Sequence, residues 1–108
     1  MANLYRVVSK REWDNYQKTQ LLSIAENTLE AKQFFKSRKA VLDFFKSSKE
    51  QNYTPPYVSL LVFQVDDSKF KKILYDSMLL DGYEAISIPE NQLAAFNKIV
   101  TFVKEETL

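Results

Sequence analysis

Nine consecutive residues, Tyr57–Val65 (YVSLLVFQV), form the most apolar run of the chain. In an extended backbone successive side chains point to opposite sides. Tyr57, Leu61, Phe63 and Val65 then share one face, and Val58, Leu60 and Val62 share the other. Both faces are apolar, which makes this a central strand.

Before it, Leu4–Val8 (LYRVV) is β-branched and aromatic and reads as another strand apolar on both faces, with Arg6 at least partly buried. A buried guanidinium needs an anion or a carbonyl. Its partner is expected to be a core carboxylate such as Glu84 or Asp76, or a bound anion. Ser9-Lys10-Arg11-Glu12 fits a capping box and starts a helix running to about Thr19, docked by Trp13 and Tyr16. Leu21–Thr28 reads as a turn-rich loop punctuated by Asn27-Thr28. Ala31–Lys36 is a short aromatic strand, and Ser37 caps a helix over Arg38–Ser48 with Ala40, Val41, Phe44 and Phe45 on its buried side. Lys49–Pro56 is a loop with Tyr53 and Tyr57 flanking two prolines.

After the central strand, Asp66 caps one turn of helix near Lys69–Lys71, Lys72–Asp76 reads as a strand and Ser77–Gly82 as a loop with exposed Met78, Leu79 and Leu80. Glu84–Ile88 is a strand with Glu84 on the face of Ile86 and Ile88. Pro89 and Glu90 open a short helix ended by Asn97, and Lys98–Lys104 returns as a strand before a frayed tail. The fold class is therefore α+β: one domain, 1–108, with a mixed, largely antiparallel sheet of about six strands and two to three short helices.

Composition excludes several chemistries. A single glycine, Gly82, cannot build a glycine-rich phosphate loop. Without histidine or cysteine there is no Ser-His-Asp or Cys-His catalysis, no thiol redox chemistry and no His/Cys zinc site. No signal peptide or long apolar run is evident, so a soluble, cytoplasmic protein with no membrane partner is expected. A net charge of +1 gives no global field toward nucleic acid, which is not expected as a partner. The charge is nevertheless uneven. Glu30–Glu50 holds six basic and three acidic residues, including the stripe Lys32, Lys36, Arg38, Lys39 and Lys46, whereas Asp76–Ala95 holds four acidic and no basic ones.

Three segments, in order, resemble the ADP-ribosyltransferase-like fold of small bacterial toxin-related domains: LYRVVSKREW, AKQFFKSRKAVLDFF and YEAISIPENQLAAFNKI. The resemblance implies an enzyme or binding domain that uses NAD, with cleavage at the nicotinamide–ribose bond through an oxocarbenium-like state. It implies Glu84 as the catalytic carboxylate, Arg6 on the pyrophosphate, Ser37 at the middle motif's serine, and Tyr53 or Tyr57, with Phe35 and Tyr83, as stacking rings. Phe-Lys-Ser stands where the family has Ser-Thr-Ser, and Gly82 stands where arginine-modifying members carry Glu or Gln. Two alternatives remain open beside the enzyme. One is a non-catalytic module of this fold that binds a protein or a nucleotide; the other is an unrelated α+β interaction module, such as a phage or accessory protein.

Overall fold

The computed structural model describes residues 1–23, 31–80 and 82–108. Strand β1 (Ala2–Ser9) shows how the sheet separates its faces. Leu4 and Val8 enter one apolar cluster with Leu61, Phe63 and Val65, while Val7 enters a second with Leu60 and Val62. The remaining elements are α1 (Lys10–Thr19), β2 (Ala31–Phe35), α2 (Arg38–Glu50), β3 (Tyr57–Val65), α3 (Asp67–Phe70), β4 (Asp76–Leu80), β5 (Tyr83–Pro89), α4 (Glu90–Ile99) and β6 (Val100–Thr107). They form an α+β domain around one six-stranded sheet ordered β4-β5-β2-β1-β3-β6. Every neighbouring pair is antiparallel.

β3 occupies the interior position expected of it, between β1 and β6. Side chains of α1, α3 and α4 cover the face of Phe34, Phe63 and Ile86, and those of α2 cover the face of Phe35, Leu60 and Ala85. The centre of the first face is aromatic. Phe34 meets Phe63 edge-on at 5.9 Å and Phe96 at 5.3 Å, and all three rings are fully buried. Burial of each such ring contributes about 1.5–3 kcal/mol.

Local chemistry sets the element ends. Ser9 Oγ accepts from the Glu12 amide at 3.3 Å, and Ser37 Oγ accepts from the Ala40 amide at 3.0 Å. Gln20 closes α1 in the left-handed region, φ 57°, and its amide donates to the Tyr16 carbonyl.

Three sequence readings change. Four helices are present among the described residues, the third a single turn, against the two to three expected. The loop assigned to Ser77–Gly82 is largely strand β4, whereas Lys72–Tyr75, expected to be most of a strand, is turn and irregular backbone, with only Asp76 of that segment in β4. Met78 and Leu80 alternate inward with Ser77 and Leu79 outward, a period-two pattern that pairs with β5 through Met78↔Ala85 and Leu80↔Tyr83. Finally, α4 extends through Lys98 and Ile99, and β6 continues to Thr107 where a frayed tail was expected. Ser59↔Thr107 pairing and Glu105 on Ser59 Oγ at 2.6 Å hold that tail. Asn27, Thr28 and Asp81 lie outside the described residues. Among the described residues no helix is long and apolar enough to cross a membrane.

Candidate functional site

The sheet is open between β1 and β2. These strands share one paired position, Tyr5↔Phe35. Beyond it β1 continues on β3 as far as Ser9↔Tyr57, and β2 continues on β5 as far as Ala31↔Pro89. Arg6 fills the gap. Its Nη1 donates to the Gln33 carbonyl at 2.9 Å, where a strand amide would otherwise be the donor.

The rest of the guanidinium is held by Glu12. Arg6 Nε donates to Oε2 at 2.7 Å and Nη2 to Oε1 at 2.8 Å, a bidentate pair. The cap at Ser9 positions this carboxylate, because it starts α1 three residues earlier and turns Glu12 back toward the sheet. Lys32 reaches the same carboxylate, its Nζ 3.4 Å from Oε2. It lies on the face of Phe34, two residues away in β2, and only 11% of its side chain is exposed. Arg6 and Glu12 keep 18% and 22%. Two part-buried cations thus share one carboxylate, which leaves the cluster with one excess positive charge among the described residues.

The titration behaviour follows from this crowding. Burial pushes the Glu12 carboxyl up, but Arg6 and Lys32 together outweigh it and hold its pKa below the ordinary value. Burial pushes the Lys32 amine down, as does Arg6, and Glu12 offsets them only in part. Arg6 commits three of its five N–H donors to Glu12 and Gln33, so among the described residues two are uncommitted, beside the donors of the lysine ammonium.

On the α2 side of the gap a depression of about 40 Å³ is lined by Arg6, Gln33, Phe35, Phe44 and Tyr57. Such a space admits a water molecule or one small group, far below the roughly 300–1,000 Å³ of ligand clefts. Tyr57 stacks on Tyr53 with centroids 5.1 Å apart and planes at 16°. Burial, with Tyr53 beside it, pushes the Tyr57 hydroxyl up to about 12.

The predicted site residues fall into two groups. Arg6 and Tyr57 line the same depression, and Tyr53 stacks on Tyr57. Ser37 is the N-cap of α2, with its oxygen turned to the helix amide. Glu84 is exposed at the start of β5 opposite Leu79 of the edge strand, where the strand has run past the apolar cluster. It is two strands from Arg6, and the buried Phe34 and Ile86 lie between them, so the expected meeting of these two charges does not occur. Asp76 is also exposed and faces away from Arg6 on β4. Glu12 takes the place of both as the partner of Arg6. Sequence reasoning assigned it to the capping box and so missed it. Lys32 was placed in a basic stripe. Three members of that stripe are engaged instead: Lys32 on Glu12, Arg38 on Glu106 and Lys39 on Asp43. The alternation of Lys32 with Phe34 was the signal that Lys32 turns inward.

Comparison with protein-family models, curated proteins and solved structures found no match.

Proposed function

We propose that this domain binds a nucleotide diphosphate at the gap between β1 and β2, with NAD the ligand that its sequence resemblance to ADP-ribosyltransferase-like domains favours. The observation that carries the reading is the pairing of two inward-turned cations, Arg6 and Lys32, with the single carboxylate of Glu12. An incoming diphosphate takes the place of Glu12, because it offers the same bidentate oxygens with more charge. Tyr57, backed by Tyr53, then serves as the stacking ring beside it. The depression beside Arg6 admits only one small group, so release of Glu12 from Arg6 and Lys32 is part of binding.

Glu84 is the candidate for cleavage. Its exposure on the rim of the sheet leaves it free to meet a ribose, but its separation from Arg6 supports binding more strongly than catalysis. The two functions separate in one set of measurements. Calorimetric titration with NAD, ADP-ribose and adenosine is expected to give binding for the first two and at least tenfold weaker binding for adenosine. Lys32→Gln is expected to weaken NAD at least tenfold. Equal binding of adenosine and ADP-ribose refutes the diphosphate assignment. NAD hydrolysis that is the same in wild type and Glu84→Gln removes Glu84 as the catalytic carboxylate.

A further inference from the structure

Strand β6 closes one edge of the sheet, and that edge is guarded along only half its length. The C-terminal half carries Lys104, Glu105 and Glu106, and these side chains are engaged: Glu106 holds Arg38 and Lys104, and Glu105 holds Ser59. Charges on an edge strand discourage the addition of a foreign strand. The first three residues, Val100, Thr101 and Phe102, carry no charge. They form one wall of a groove of about 600 Å³, and Trp13, Tyr16 and Gln17 of α1 form the other. Among the described residues no charged side chain lines it. Phe102 lies 5.8 Å from Trp13 and 5.6 Å from Tyr16, and 36% of it remains exposed. Tyr16 in turn meets the buried Phe63 edge-on at 5.7 Å, which anchors the aromatic wall to the core.

We propose that this groove binds an extended, uncharged segment of another protein, added as a strand along Val100–Phe102 with one apolar side chain seated among Trp13, Tyr16 and Phe102. Alternate residues of an edge strand turn their amide and carbonyl groups outward, and a peptide backbone satisfies those groups in series. The open stretch is about 10 Å long, room for three residues of a strand. A neutral lining selects a neutral segment, because a charge placed there loses water without gaining a partner. A second copy of this chain fits poorly. Antiparallel pairing centred on Thr101 would set the Lys104, Glu105 and Glu106 of each copy against the end of α4 in the other.

The probe is a fluorescein-labelled nonapeptide of alternating threonine and valine around a central phenylalanine, blocked at both ends and free of charged side chains. Fluorescence anisotropy is expected to show saturable binding. Phe102→Lys and, from the opposite wall, Gln17→Arg should each weaken it at least tenfold while the far-ultraviolet circular dichroism stays unchanged. N-methylation of alternate peptide amides should abolish binding in one of the two registers. The proposal is overturned by absence of saturable binding, or by equal binding of both N-methylated peptides. Competition by N-acetylphenylalanine amide as strong as that of the peptide itself points to a small-molecule site and also overturns it. So does a sedimenting dimer that Phe102→Lys dissociates.

Discussion

Replacing Glu12 by glutamine keeps the shape of the side chain and removes the one negative charge between Arg6 and Lys32. Removing one partner of a fully buried ion pair costs about 3–5 kcal/mol. Here Arg6 and Glu12 keep 18% and 22% of their side chains in solvent, and the glutamine carbonyl still accepts one hydrogen bond, so a loss of about 2 kcal/mol is expected. In a domain of this size that lowers the melting temperature by about 10 °C. The sign of the pH dependence is fixed by the depressed Glu12 pKa. Its contribution is fully present above the ordinary value of 4.5 and is lost as pH falls through the folded value. The gap between wild type and variant should therefore be widest near neutrality and close in acid. Inorganic phosphate should stabilise the variant more than the wild type, since it can stand between the two cations where the carboxylate was. Thermal unfolding by circular dichroism across pH, with and without phosphate, reads all three effects. A variant within about 0.5 kcal/mol of wild type at neutral pH, or a gap that persists unchanged into acid, refutes the reasoning.

Phe34→Ala should cost about 3–5 kcal/mol in urea unfolding, because the ring is fully buried between Phe63 and Phe96. Ser37→Ala should cost about 1 kcal/mol through loss of the α2 cap and leave nucleotide binding unchanged. A larger effect on binding than on stability would return Ser37 to the site. Spectrophotometric titration of the tyrosines should show one phenol ionising near 12 that is missing in Tyr57→Phe. Because that pKa is raised in the folded state, the stability it contributes is present below the ordinary value of 10 and is lost as pH rises toward 12.

The legible part of the fold was its local part. Tyr57–Val65 emerged with the bounds its apolar faces suggested, and Ser9 and Ser37 cap the helices they were assigned. Strand β4 was also legible, in the alternation of Met78 and Leu80 with Ser77 and Leu79, but its apolar content was read as an exposed loop. Pairing was not legible. Apart from β4 and β5, which follow one another, the order β4-β5-β2-β1-β3-β6 joins segments distant in sequence, and nothing within one strand records its neighbour. The site was half legible. Arg6 stood out as a charge on an apolar strand and was expected to need a partner. That partner lay six residues away on the helix its own strand leads into, not on a distant strand. The single paired position between β1 and β2, which makes room for the guanidinium, goes with the pairing of β1 on β3 and of β2 on β5.

The central claim is that a nucleotide diphosphate takes the place of Glu12 on Arg6. The Arg6 Nε–H resonance, assigned by its absence in Arg6→Lys and followed by nitrogen-edited NMR during titration with ADP-ribose, tests this directly. The account predicts a saturable shift of that resonance, with weaker saturation in Lys32→Gln. A resonance that stays at its unliganded position while ADP-ribose binds elsewhere, or does not bind, contradicts it.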